Sequence, residues 1–258
     1  MNAPPSDDIL GFWNERASLG AKAGTNDFVL TGIEQRFLLD FIPARARVLD
    51  IGCGNGGSLV QLTKEKKCKG VGFDFSEKMI EAATISVADA ALQESIKLYH
   101  RCIPPIPTEW GLFEIAYSQR CLINLENVEA QKQAVLSVAE VLEPGGAYIM
   151  LECFNEGSEE TNLLRRRLGL EAMEAPWHNL FFDLAQVKSW STPDFYVERV
   201  EHVSSTYHFL SRVVYAKLAA DAGEELRYDS RINLLAAQLP QHIGEFGPVK
   251  ACIWRKAK

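Results

Sequence analysis

No apolar run in the sequence approaches the ~20 residues that a membrane-spanning helix needs. Helical membrane insertion is therefore not expected. Cysteine is sparse and scattered, at positions 53, 68, 102, 121, 153 and 252, with no two spaced as a C-x-x-C pair. That argues against zinc and thioredoxin-like sites and leaves reduced, mostly buried thiols of a cytoplasmic protein. Basic charge is also short: 27 Lys plus Arg against 34 Asp plus Glu, a net of −7. Nucleic-acid and anionic-membrane binding rest on basic surfaces, so no nucleic-acid partner is expected. The opening stretch MNAPPSDDIL has neither basic residues nor an apolar core, unlike a secretory signal or a transit peptide. With 18 Gly and 11 Pro the chain is not collagen-like or of low complexity. What is present is 258 residues, 47% of them apolar, enough for one large domain that folds without metal or disulfide.

The pattern along the chain divides it as follows. Residues 1–8 read as a disordered N-terminus, and 9–258 as a single domain. Within that domain, 9–41 read as N-terminal helices, with apolar residues three and four apart. Residues 45–155 alternate strand and helix: RVLDIGC, GSLVQLTKEKK, CKGVGFDF, SEKMIEAATISVADAALQE, IKLYHRC, LFEIAYS, VEAQKQAVLSVAEVL and AYIMLECF. Such alternation predicts an α/β fold with a mostly parallel sheet covered by helices on both faces. Residues of about 156–192 are too long for a plain connection and read as an inserted helical cap. FYVERVEHVSST and PVKACIWRK read as closing strands, with two helices between them.

VLDIGCGNGG, residues 48–57, carries the strongest signal. An apolar strand delivers Asp50, glycines follow at 52, 54, 56 and 57, and a helix begins. Glycine suits a sharp turn with positive φ, or a backbone against which a ligand lies. The same residues satisfy G-x-G-x-x-G, so a dinucleotide site stays open at this point. Asp50 in the strand end would repel a pyrophosphate and attract an ammonium group. Asp74, ending the next strand, suits a ribose diol in either case.

Together with GVGFDFSEKMIEAA, FEIAYSQRCLINL and VLEPGGAYIMLE, this turn resembles the class I S-adenosylmethionine-dependent methyltransferases across residues 48–152. The resemblance implies a Rossmann-like fold with a seven-stranded sheet, and S-adenosylmethionine as cofactor. It implies that Gly52, Cys53 and Gly54 floor the methionyl and ribose parts, that Asp50 meets the amino group, and that Asp74 takes the ribose hydroxyls. Phe75 and Met79 would pack on the adenine. Where many relatives hold the adenine amino group with an acidic residue, Cys102 and Ile103 stand here, a departure from the pattern. Tyr117 and Ser118 would flank the sulfonium. Arg16 either pairs with the cofactor carboxylate or is a solvated helix arginine.

Methyl transfer to an oxygen also needs a general base or a metal. His178, in PWHNLFFD, is the candidate base, or else a hydrogen-bonded histidine; Glu152 either orients a partner or takes a proton. Arg120 and Asn124 follow the fourth strand, and Arg120 either anchors an anionic substrate or locks its loop. Trp177 and Tyr207 are the further candidate substrate contacts; Tyr207 sits in a polar cluster with His208, Ser211 and Arg212. No metal-ligand cluster stands out. The segments LLRRRLGLEAMEAPWHNLFFD and SSTYHFLSRVVYAKLAA resemble methyltransferases of glycan or natural-product systems, which implies a small-molecule or glycan hydroxyl acceptor. N-methylation of a small amine, a cofactor-binding regulator without turnover, and a nicotinamide-dependent oxidoreductase are the alternatives. A homodimer is compatible with the sequence.

Overall fold

A computed structural model describes residues 6–258. Its centre is a seven-stranded sheet in the order β3-β2-β1-β4-β5-β7-β6. The strands are β1 (Arg47–Ile51), β2 (Lys69–Asp74), β3 (Ile96–His100), β4 (Phe113–Gln119), β5 (Leu142–Cys153), β6 (Phe195–His202) and β7 (Val249–Lys256). The first five are parallel, and β7 enters antiparallel between β5 and β6. The parallel strands are apolar runs because both sheet faces are covered. Val48, Leu49, Ile51, Ala116 and Ile149 are all fully buried.

The sheet is wrapped by α2 (Phe28–Phe41), α3 (Gly57–Lys66), α4 (Glu77–Asp89) and α5 (Val128–Val141). Three of these helix starts carry a side-chain cap, and α3 instead follows the left-handed Gly56. Asp27 caps α2 by accepting from Leu30 N, Ser76 caps α4 through Met79 N, and Asn127 caps α5 through Ala130 N. Glu143–Gly146 are absorbed into β5, whose pairing with β4 shifts register there, so the strand starts at Leu142.

Two parts of the chain differ from the sequence reading. Of the expected disordered stretch 1–8, residues 1–5 lie outside the described residues. Asp7 and Asp8 instead open a helix, α1 (Asp7–Arg16), because Ser6 accepts from Ile9 N and acidic residues suit a helix N-terminus. Past α1 a 3-10 turn (Ala17–Lys22) leads toward α2. The expected cap, about 156–192, consists of α6 (Asn155–Arg167), an irregular stretch and α7 (Leu184–Ser189). A second helical excursion separates β6 from β7: α8 (Ser205–His208), a π-helical stretch (Phe209–Tyr215), α9 (Ala216–Ala222) and α10 (Arg231–Ala236). No helix among the described residues is long and apolar enough to cross a membrane.

Candidate active site

Parallel strands deliver their carboxyl ends to one edge of the sheet, and there β1 turns into α3. Gly52, Gly54 and Gly56 have φ of 71°, 52° and 77°, a region that side chains other than glycine rarely adopt. A Cβ on Gly52 would lie 2.1 Å from Cys121 Sγ. On Gly54 it would meet nothing within 4 Å, because Gly54 faces a cavity of about 700 Å³.

Two carboxylates border the turn. Asp74 Oδ2 accepts from Gly54 N and its Oδ1 from Ser76 N, both at 2.9 Å. Asp50 Oδ2 accepts from the Tyr117 hydroxyl at 2.7 Å. Burial raises the Asp50 pKa to about 7, with the Tyr117 hydrogen bond opposing and the charge of Asp74 adding. Burial likewise raises Asp74 to about 6, against the hydrogen bonds from Ser76 and Gly54. Such a pair is short of positive charge and suits a cationic ligand.

The expected cofactor residues divide by position. Asp50, Gly52, Cys53, Gly54, Asp74, Phe75 and Met79 all line the cavity. Tyr117 and Ser118 lie fully buried beneath it, Tyr117 reaching Asp50 and Ser118 donating to Glu152 Oε1 at 2.7 Å. Cys102 is exposed, and neither it nor Ile103 is on the wall. Arg16 is off the wall too. Its guanidinium donates to the carbonyls of Ala23 and Lys22 and lies 5.5 Å from the Phe12 ring centre, so it holds the 3-10 turn in place.

The remaining candidates are also separated. Glu152 is fully buried. Its Oε1 accepts from Ser118 Oγ, Cys121 N (3.2 Å) and Leu122 N (3.0 Å), so it fastens the loop after β4. Burial pushes its pKa up to about 7. His178 packs against Phe12 (4.3 Å between ring centres) and Trp13 (5.9 Å), outside the cavity, and Trp177 is exposed beside it. Burial, then the charge of Arg16, lowers the His178 pKa. Arg120 and Asn124 line the cavity, whereas Tyr207 is buried with its hydroxyl on both oxygens of Asp27, at 2.8 and 3.0 Å.

What covers the cavity is therefore α1 and the turn behind it, through Trp13, Ala17, Ser18 and Gly20, rather than the 156–192 segment. Trp13 Nε1 donates to Asn124 Oδ1 at 3.2 Å, tying this cover to the loop after β4. Several site residues went unrecognised in the sequence. Phe28, Thr31, Gly32 and Gln35, spaced i, i+3, i+4 and i+7, put one stripe of α2 on the wall. Within it Thr31, Gly32 and Gln35 are small or polar and follow the helical spacing, a signal the sequence does contain. Glu34 and Asp27 went unrecognised as well. Glu34 is buried, 3.1 Å from Arg120 Nη2, and Asp27 pairs with Arg212.

Residues 48–146 match the family model described as a methyltransferase domain. Over those residues the chain is similar to methyltransferases. It is 25% identical over 138 residues to 27-O-demethylrifamycin SV methyltransferase of Amycolatopsis mediterranei, covering 53% of this chain and 47% of that one. It is 32% identical over 135 residues to human EEF1A lysine methyltransferase 2, covering 48% and 57%. The chain spans about half the length of these curated relatives. Among solved structures, a methyltransferase of Thiobacillus denitrificans with S-adenosyl-L-homocysteine superposes with a TM-score of 0.50 at 18% identity, over 100% of this chain and 94% of that one. Geranyl diphosphate C-methyltransferase of Streptomyces coelicolor gives 0.55 at 10% identity, over 88% and 76%. These two likenesses show the shared methyltransferase fold.

The methyltransferase cradle fits the family's cofactor on its own chemistry. Gly54 leaves open the space that a Cβ would take. The Asp74 carboxylate, already fixed by two backbone donors, retains lone pairs for a diol.

Proposed function

We propose that this chain transfers the methyl group of S-adenosylmethionine to a small or medium organic acceptor, favouring a hydroxyl of a sugar or related metabolite. One observation carries this reading. Asp50 and Asp74 share the wall of one cavity, on either side of a glycine turn that leaves room for a ligand. In this reading Asp74 holds the ribose hydroxyls, Asp50 faces the ammonium group, Gly52–Gly54 form the floor, and Phe75 and Met79 pack on the base. The cofactor supplies an electrophilic methyl on a sulfonium, so the protein has chiefly to align the acceptor and exclude water.

Several features support a small acceptor. The cavity volume, about 700 Å³, falls within the range of small-molecule sites, roughly 300–1,000 Å³. The cover by Trp13 and the 3-10 turn makes it a recess, and the net charge of −7 does not favour a polyanion. Relatives named for a tRNA and for a protein lysine show that the family also serves macromolecules. Glu152 acts here as a positioning residue for the loop that carries Arg120 and Cys121. His178, if it serves as base, does so from behind Trp13.

The test is methyl transfer from labelled S-adenosylmethionine to a panel of sugars, hydroxy acids and amines, with binding of NADH measured alongside. Transfer to one acceptor class without NADH binding is expected. NADH binding without S-adenosylhomocysteine binding would overturn the reading.

A further inference from the structure

The cavity extends past the glycine turn to the other side of β1. There β4 ends beside β1, and the first residue after it, Arg120, has φ of 51°, a left-handed conformation costly for a side-chain-bearing residue. Its backbone is held there by Arg120 N donating to Leu151 O at 2.8 Å, and by Glu152 gripping the next two amides. The strain directs a guanidinium to the cavity wall. A guanidinium carries five N–H donors. Among the described residues its one acceptor is the Glu34 carboxylate, 3.1 Å from Nη2. Nε is buried with no acceptor, and Glu34 Oε1 is buried with no donor. Gln119 Nε2 also donates to Glu34 Oε2, at 2.7 Å, so that oxygen is shared between the amide and the arginine. From here the α2 stripe, Thr31 and Gly32 in the middle and Phe28 at the far end, lines an arm of the cavity. Gly32 leaves it open, since a Cβ there would meet nothing within 4 Å. Phe28 is 57% exposed, an aromatic face at the mouth.

We propose that this arm is the acceptor subsite and that the acceptor carries a carboxylate, which docks on Arg120 while its body lies along α2 toward Phe28. This rests on the methyltransferase reading and narrows it, to a hydroxy acid such as a uronic acid rather than a neutral sugar. A planar carboxylate matches the donor geometry of a guanidinium, and the 20% of the Arg120 side chain left exposed at the cavity wall is where it would dock. Asp74 ends β2, on the side of β1 away from β4, so the nucleoside and this anion have separate anchors.

The experiment uses the full chain saturated with S-adenosylhomocysteine. Benzoate, mandelate and glucuronate are titrated into it, each beside its primary amide, by calorimetry and thermal shift. At least one acid binds and its amide does not. Arg120→Gln weakens the acid by about tenfold or more, the scale of a charge-assisted pair, and leaves S-adenosylhomocysteine affinity within about twofold. Arg120→Lys recovers part of the loss. Gly32→Leu, which fills the arm without touching the arginine, also blocks the acid and serves if Arg120→Gln fails to fold. Equal binding of acid and amide, or no acid bound by the wild type, overturns the proposal. So does a loss of S-adenosylhomocysteine affinity in Arg120→Gln with 5′-methylthioadenosine unaffected, since that assigns Arg120 to the cofactor's own carboxylate. Failure of the wild type to bind S-adenosylhomocysteine at all would instead overturn the methyltransferase reading.

Discussion

The two sides of the cavity are built on opposite electrostatic plans. On the β2 side, Asp50 and Asp74 have no ion-pair partner among the described residues, and burial lifts their pKa values to about 7 and about 6, with His100 opposing the shift of Asp74. On the β4 side two ion pairs stand, Glu34 with Arg120 and Asp27 with Arg212, while Glu152 is buried on hydrogen bonds alone. Uncompensated buried charge stores a demand for a ligand of opposite sign. Paired buried charge locks elements together, and losing one partner is costly. The first side should therefore reveal itself in binding, and the second chiefly in stability. Arg120 is where the two plans meet, since its one ion pair leaves most of its donors unused.

The largest expected effect lies on the paired side. Asp27→Ala removes the α2 cap, the acceptor for the Tyr207 hydroxyl and the partner of Arg212 in one step. Stability should fall by about 3–5 kcal/mol, read as the urea midpoint, with Tyr207→Phe losing far less. Little change in Asp27→Ala would mean that the β6–β7 excursion docks on something else. Gly52→Ala comes next. Its Cβ has no room against Cys121 Sγ, and φ is 71°. A loss of about 2–4 kcal/mol is expected, of which the additional change Cys121→Gly should restore only the clash and not the roughly 1 kcal/mol of backbone cost.

Asp74→Ala tests the unpaired side. It should weaken S-adenosylhomocysteine by about 1.5–3 kcal/mol, roughly ten- to a hundredfold, in a chain that remains folded. A further effect comes from pH. An Asp50 pKa raised from 3.8 to about 7 means that the folded chain binds the proton more tightly than the unfolded chain. Stability from this group is full below about 4 and is lost as pH rises through about 7. Asp50→Asn should therefore gain on the wild type across that window and run parallel to it above. His208, pushed down to about 4 by burial, works in the opposite direction, so the informative quantity is the difference between the two proteins. Binding of cationic S-adenosylmethionine should strengthen over the same rise in pH, as the two carboxylates ionise. A parallel pH course for the two proteins throughout would contradict the unpaired plan.

The same contrast explains what the sequence made legible. On the β2 side each residue follows its strand directly: Asp50 and Gly52 on β1, Asp74 and Phe75 on β2, with the Ser76 cap beside them. Local pattern suffices there because parallel strands bring their ends to one edge. The β4 side is assembled from Asp27, Glu34, Arg120, Tyr207 and Arg212, up to 185 residues apart. No local spacing predicts that the excursion after β6 returns to cap α2. Arg16 illustrates the opposite failure. Its helix was readable, but the 3-10 turn that takes up its guanidinium through the Ala23 and Lys22 carbonyls was not. The aromatic segment around His178 reads as part of a cap over the site, yet α1 occupies that place, and the histidine packs against Phe12 and Trp13 of that helix.

Calorimetric titration of the wild-type chain with S-adenosylhomocysteine, beside NADH and beside Asp74→Ala, tests the central claim most directly. The account predicts one site for the thioether nucleoside, no heat from NADH, and a ten- to a hundredfold loss, about 1.5–3 kcal/mol, in the variant. Unchanged affinity in a folded Asp74→Ala protein, or no binding by the wild type, would contradict it.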